Sequence, residues 1–373
     1  GGQLPGARVA RASEMTPTPR LNIDLDKIEH NARVITGVCA EHGIGVTGIT
    51  KGTCGHPEVA RAMLRGGVAD IGDSRLRNIQ RLRAAGIDVP FTLIRLPALS
   101  AVDAVVSLVD TSLNAEISVV QSLSAAARAQ GRVHGVIIMV ELGDLREGAL
   151  PEELINLAQQ TAVLPGIRIR GIGVNLGCFA GVMPDADNMN RLVALAESVE
   201  QTLGEELELI SGINSGGLQL LAQGDMPERV NHARIGEAIL LGRETTVRQA
   251  LPGAHQDAFV LYAELLELKL KPSTPSGLRG EDAFGGSAQF ETHGSIVHAL
   301  LNVGREDVDI SGLTPLDPGV RILGASSGYL ILDMSHVGRE IQVGQELAFT
   351  LSYSALLRAM TSEYVVKELV GGA

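Results

Sequence analysis

Between residues 45 and 235 the chain repeats one pattern eight times: a short apolar run, a loop, then a stretch with helical spacing of apolar positions. The strand-like runs fall at 45–51, 69–73, 91–96, 111–114, 136–142, 169–176, 207–215 and 232–235. Helical patterns between them include 57–65, 77–85, 152–161 and 188–203. The strand runs are apolar at nearly every position, as expected of parallel strands buried on both faces. Eight such units predict an α/β fold, a closed (β/α)8 TIM-type barrel over residues 26–252, with its chemistry at the C-terminal strand ends. Ahead of it, 21–25 alternates like a strand, and Asp26 reads as the N-cap of the next helix.

The pattern changes near Pro252. Short alternating runs follow at 259–271, 295–303, 321–323, 330–333 and 346–351, separated by Gly/Pro clusters at 271–277 and 315–319. With no long helical pattern in sight, residues 253–373 read as an all-β, mostly antiparallel domain, joined by the strand at 20–25.

A chain that is 45% hydrophobic can bury a large core, and its net charge of −12 with scattered Lys and Arg excludes a nucleic-acid partner. No apolar stretch reaches membrane-span length. Cys39, Cys54 and Cys178 are odd in number and lack metal-ligand spacing, which reads as reduced thiols of a cytoplasmic protein. His42, His56, His134, His232 and His293 show no metal spacing either, so no metal is expected. Residues 1–15 lack the apolar core of a signal peptide and read as a disordered extension outside the fold.

On this register one barrel mouth collects Lys51, Arg146, Asn175 with Cys178, Asn214 with Ser215, and Arg234 with Gly236 and Glu237. Barrels often bind phosphate between the loops after strands seven and eight, where the last two groups offer a hydroxyl and free backbone N–H groups. A phosphate site opposite a strand-tip lysine calls for pyridoxal 5′-phosphate, joined to Lys51 as a Schiff base. Each residue also has a plainer reading: Lys51 as a solvated rim residue, Arg234 as a structural cation, Cys178 as a small apolar filler.

Several runs together carry a resemblance. They are Gly-Ile-Thr-Lys51, Gly143-Asp-Leu-Arg146-Glu-Gly148, Gly173-Val-Asn-Leu-Gly-Cys178, Ser211-Gly-Ile-Asn-Ser215 and the run from Arg234 to Glu244. Further on come Asp282-Ala-Phe-Gly285, the run from Val303 to Asp309, and Leu323-Gly-Ala-Ser-Ser327. From Pro19 to Leu369 the chain resembles the alanine-racemase-type (fold type III) pyridoxal-phosphate enzymes, most closely their ornithine racemase branch.

The resemblance implies roles. Lys51 anchors the cofactor and acts as base on one face of the substrate α-carbon. Ser215, Asn214 and the backbone of Gly236 and Glu237 hold the phosphate, which Tyr353 also reaches. Arg146 lies by the cofactor phenolate and the substrate carboxylate. Arg234 meets the ring nitrogen as a donor that does not readily give up its proton, which favours racemisation over transamination. Phe284 stands where the family commonly has an opposite-face tyrosine, and Cys178 where it has a histidine. The second base is therefore open between Cys178 and Asp282, the latter otherwise a turn cap.

A homodimer with shared active sites is also implied, as is a free amino acid as substrate: ornithine first, then lysine, alanine or a broad set. The acids Glu306, Asp307 and Asp309 fall in the family stretch that enters the partner's site. At least one is expected to face the second ammonium of ornithine, with Asp307 and Asp309 preferred over a solvated-turn role. Two other classes share the cofactor: D-amino-acid aldolases, which add a His/Asp metal cluster, and pyridoxal-phosphate carrier proteins, which have the barrel alone.

Overall fold

The computed structural model describes residues 17–286 and 294–372; the expected extension at 1–15 and His293 lie outside them. The chain enters through β1 (Arg20–Asp24) and a helix, Leu25–Ala40. The N-cap of that helix is Asp24, whose carboxylate accepts from the Lys27 amide at 3.0 Å. Asp26, expected to be the cap, sits in the first turn instead, where its charge suits the helix dipole.

Eight parallel strands then close a barrel: β2 (Gly45–Ile49), β3 (Asp70–Asp73), β4 (Phe91–Leu93), β5 (Thr111–Asn114), β6 (His134–Met139), β7 (Ile167–Gly173), β8 (Leu209–Ile213) and β9 (His232–Ile235). Closure is made by β9 against β2, in register from Gly45↔His232 to Gly48↔Ile235. Between β7 and β8 the backbones come so close that a Cβ on Gly171 would lie 1.8 Å from the Leu209 carbonyl oxygen. Helices such as Pro57–Arg65, Leu76–Ala84, Pro151–Ala162 and Ala186–Leu203 alternate with the strands. Inside, Leu113, Ile137 and Met139 form a buried cluster with Ile94 and Leu209 packed against it.

Several strands stop short of their expected ends. Val140, Leu142, Val174 and Leu176 are apolar and buried but lie past the ladder, where the mouth loops fold back over the barrel. The bridge Val140↔Ala149 marks one such return, and Val174 and Leu176 stay buried beyond β7.

The second compact unit takes residues 17–23 and 260–368, the barrel unit taking 24–259 and the residues from 369 onward. Its strands are β10 (Phe259–Pro272), β11 (Ser295–Leu301), β12 (Leu313–Pro315), β13 (Arg321–Ala325), β14 (Leu330–Asp333), β15 (Glu346–Leu351) and β16 (Val366–Val370). They pair antiparallel in the order β12-β15-β10-β11-β14-β13, and β1 pairs with both β10 and β16. This unit is not all β. A helix, Tyr353–Thr361, is capped by Ser352 and buries Ala355, Leu356, Ala359 and Met360. Nine residues are too short a run for the periodicity to stand out between two strand patterns. Among the described residues, no helix is long and apolar enough to cross a membrane.

Candidate active site

The C-terminal end of β2 sets the first group. The chain leaves the strand through Thr50 into a single 3-10 turn, Lys51–Thr53, so Lys51 stands half-buried just past the strand tip. Thr50 Oγ1 donates to Asp73 Oδ2 at 2.8 Å, while Asp73 Oδ1 accepts from the Arg75 amide at 2.9 Å and Asn78 Nδ2 at 3.0 Å. Burial pushes the Asp73 carboxyl up, and these hydrogen bonds oppose the shift. The turn closes on Gly55 at φ +60°, where a Cβ would come within 2.6 Å of Asn78 Cβ. The root of Lys51 is thus tied to β3 on one side and packed against the helix Leu76–Ala84 on the other.

After β8, Asn214 spends its side chain on the loop: Oδ1 accepts from the Gly216 amide at 2.9 Å and Nδ2 donates to the Leu176 carbonyl at 2.6 Å. Ser215 is buried, and its Oγ accepts from the Ala238 amide at 3.1 Å. That amide belongs to the short helix Glu237–Leu241, which Gly236 caps after β9. A Cβ on Gly216 would meet Thr246 Cγ2 at 2.9 Å, and one on Gly236 would meet Ile49 Cβ at 3.1 Å. Glycine keeps backbone accessible where side chains do not fit, so a hydroxyl and first-turn amides form a cradle suited to an anion. Burial pushes the Glu237 carboxyl up, opposed by the cations Arg248, Arg243 and Lys51.

Arg234, on β9, is buried. Its Nη1 donates to the Ser211 carbonyl at 3.1 Å and to Ser211 Oγ, and its Nη2 donates to the Val174 carbonyl at 2.7 Å. Burial pushes the guanidinium down to about 10, which leaves it a cation at neutral pH. Arg146, in the loop after β6, donates through Nε and Nη2 to the Glu147 carboxylate, which holds the guanidinium above its ordinary range. The Asn175 amide oxygen accepts from Arg146 Nη1 at 3.2 Å and Nη2 at 3.1 Å. Cys178 is exposed and lies within electrostatic reach of both Arg146 and Arg234.

Asp144 carries that arrangement and was missed by the sequence reasoning. It is buried, and its carboxylate accepts the amides of Gly177, Cys178, Phe179 and Val182, binding the loop after β7 to the loop after β6. Glu147 was missed too. The signal was present in the run Gly143-Asp-Leu-Arg146-Glu-Gly148, which sets an acid on each side of the arginine.

The remaining expected residues lie in the β-rich unit. Asp282 is exposed and uses Oδ1 to accept the Phe284 amide at 2.8 Å and the Gly286 amide at 2.9 Å, which lowers its pKa. Arg305 stacks over the Phe284 ring, 4.6 Å from its centroid. Asp307 is buried and accepts the Gly304 amide at 2.9 Å; Asp309 bonds the hydroxyls of Ser354 and Ser311, which lower its pKa. Glu306 is exposed, with its carboxylate in no ion pair among the described residues. Tyr353 opens the helix that Ser352 caps.

A protein-family model of the alanine racemase N-terminal domain matches residues 23–244. The ornithine racemase of Acetoanaerobium sticklandii is 38% identical over 353 residues, spanning 94% of this chain and 99% of its own. The chain belongs to the alanine racemase family. As a member it is a racemase, an isomerase. The lysine racemase of Thermotoga maritima is likewise 38% identical, over 94% of this chain and 98% of its own. Among solved structures, alanine racemase from the D-cycloserine-producing Streptomyces lavendulae has the same fold, with a TM-score of 0.72, 18% identity, and coverage of 96% of this chain and 99% of that one.

Proposed function

We propose that the chain interconverts the enantiomers of a free diamino acid, with ornithine as its first substrate and lysine second, using pyridoxal 5′-phosphate bound at the barrel mouth. The observation that carries this reading is the pairing of a strand-tip lysine with an anion cradle built from Ser215 Oγ and the backbone at Gly216 and Gly236. The donor set fits a phosphate monoester, and the glycines leave no side chain in its way. Bound there, the cofactor supplies an electron sink that acidifies the α-hydrogen of an amino acid joined to it.

The chain's own groups do the rest. Lys51 is the covalent anchor and moves a proton on one face of the α-carbon. Arg234, a donor with no acceptor capacity, is the partner of the ring nitrogen. Arg146, oriented by Glu147 and Asn175, is placed to recognise a carboxylate. Cys178, exposed on the loop that Asp144 holds, moves the proton on the opposite face. Asp282 is the weaker second base because its carboxylate is engaged in its own turn.

The diamino-acid substrate is supported by 38% identity, over nearly the whole chain, to one racemase named for ornithine and one named for lysine. A distal ammonium needs an acid free to meet it, and Glu306 fits better than Asp307, buried with Oδ2 on the Gly304 amide, or Asp309, both of whose oxygens are taken. The proposal includes a homodimer in the cytoplasm, each β-rich unit closing its partner's barrel mouth, with Tyr353 near the phosphate. The antiparallel sheet speaks against a barrel-only carrier protein.

Chiral chromatography of L-ornithine, L-lysine and L-alanine after incubation with the pyridoxal-phosphate-loaded protein tests the reading. D-ornithine at unchanged mass is expected. Alanine turned over in preference to both diamino acids, or no racemisation of any, overturns it.

A further inference from the structure

We infer that Arg234 is positioned by a one-way hydrogen-bond wire, Arg234–Ser211–His232–Thr47–Asp70, that crosses the barrel interior and holds His232 as its neutral Nε2–H tautomer. The strand register makes it possible. Thr47 of β2 is level with both Asp70 of β3 and Arg234 of β9, and Ser211 of β8 is level with His232. Arg234 Nη1 donates to Ser211 Oγ; Ser211 Oγ lies 2.7 Å from His232 Nδ1; His232 Nε2 lies 2.9 Å from Thr47 Oγ1; and Asp70 stands level with Thr47 on the neighbouring strand, within its electrostatic reach. The first four side chains are all buried.

The direction follows from the two ends. A guanidinium only donates, so Ser211 Oγ accepts from it and keeps its own proton free for His232 Nδ1. With that donation the imidazole proton sits on Nε2 and goes to Thr47 Oγ1, which leaves the Thr47 proton for Asp70. An ionised carboxylate only accepts, which closes the chain at the other end. Asp70 has a further reason to take that proton: its Oδ1 is buried without a partner. Burial, with Arg234 and Arg170 nearby, pushes His232 down to about 3, so the ring is neutral at working pH. Asp70 itself faces Arg170 and Asp110. Reversal would require an Nδ1–H imidazole and a Thr47 proton turned to Nε2, leaving Asp70 Oδ1 buried and unpartnered.

Among the described residues no carboxylate forms an ion pair with Arg234, so its orientation rests on the Val174 and Ser211 carbonyls and on this wire. A wire ending on a carboxylate polarises each member toward accepting from the one before it. His232 is therefore a positioning residue. Its catalytic consequence rests on the reading of Arg234 as the ring-nitrogen partner, but the wire itself does not.

The test is 15N spectroscopy of histidine-labelled protein, with and without pyridoxal phosphate, the His232 signals being assigned by their loss in His232→Gln. One protonated and one unprotonated ring nitrogen are expected, the proton on Nε2, unchanged from about pH 6 to 8. In the loaded enzyme, Ser211→Ala and His232→Leu are expected to lower kcat about tenfold with KM moved less than about twofold, since one charge-assisted bond is lost. His232→Asn, whose Oδ1 takes over the acceptor role of Nδ1, should recover most of the loss. A doubly protonated or Nδ1–H His232, or a folded His232→Leu protein with wild-type kcat, overturns the proposal. A protein that binds no pyridoxal phosphate overturns the racemase mechanism instead, and the tautomer still decides the wire.

Discussion

Replacing Asp144 frees the loop that carries Cys178. Its carboxylate Oδ1 takes the amides of Gly177 at 3.1 Å and Val182 at 3.3 Å, and Oδ2 those of Cys178 at 3.1 Å and Phe179 at 2.9 Å. A hydrogen bond to a charged acceptor contributes about 1.5–3 kcal/mol, and alanine removes all four. Much of that returns, because Phe179 is 72% exposed and the freed amides rehydrate when the loop moves. Counting one bond per carboxylate oxygen leaves about 3 kcal/mol, or about a 100-fold loss of amide protection. Asp144→Asn is no milder: its one oxygen serves one amide pair while its NH2 meets the other pair donor to donor. Hydrogen exchange followed by mass spectrometry over residues 177–182 reads the effect directly, and kcat should fall with it because Cys178 moves. Exchange within about threefold of wild type in both variants would refute the reasoning.

Three further outcomes are expected. Glu306→Gln should raise KM for ornithine about tenfold or more while leaving alanine turnover unchanged, since the bond lost is one to a charged group; equal KM values by the chiral assay would remove Glu306 from the substrate. Stability should fall as pH drops below the ordinary histidine value, because the unfolded chain takes protons that His134, held at about 4 by burial, and His232, at about 3, refuse when folded. Each contributes about 2 kcal/mol between pH 7 and 5, partly offset by the buried carboxyls Asp70 and Asp73, whose raised values act with the opposite sign. In thermal unfolding, His134→Gln should therefore lose less between those pH values than wild type, and an identical loss would count against a neutral buried His134. Gly171→Ala forces a methyl into the Leu209 carbonyl and should cost about 3 kcal/mol or more, seen as a sharp drop in melting temperature or as insoluble protein.

The barrel was legible because parallel strands buried on both faces leave a nearly continuous apolar signature, and eight of them with intervening helices admit few architectures. Strand ends were not, since residues such as Val174 and Leu176 are buried by returning loops after the ladder has ended. The shift of the first N-cap from Asp26 to Asp24 is of the same kind: two acids stand near the helix start, and only the backbone turn decides between them. Lys51, Ser215 and Arg234 could be brought to one mouth from sequence because strand-tip position follows from the repeat. The roles of Asp144 and His232 could not. Asp144 acts on amides more than 30 positions away, and no spacing encodes that meeting. His232 looks like a lone histidine until the register sets Ser211 beside it and Thr47 across from it.

The position of β1 has a consequence for synthesis. Leu21 and Ile23 are 0% exposed in the finished protein, yet among the described residues their strand pairs with β10, which begins at Phe259, and with β16. At about 5–20 residues per second, the ribosome leaves β1 without its first partner for on the order of 10–50 s. The barrel can fold in that interval while an apolar strand with open edges trails from its start. Arg20 and Asp24 form the two ends of that strand and act as charged gatekeepers during the wait. Because the Val366 amide bonds the Pro19 carbonyl at 2.9 Å and the Gly372 amide bonds Asp26 Oδ1 at 3.0 Å, β16 runs parallel to β1, and a linker long enough to run back along the pair can join them. A circular permutant that opens just before β10 would make β1 after both its partners, and should emerge from translation with less nascent-chain aggregation than the natural order.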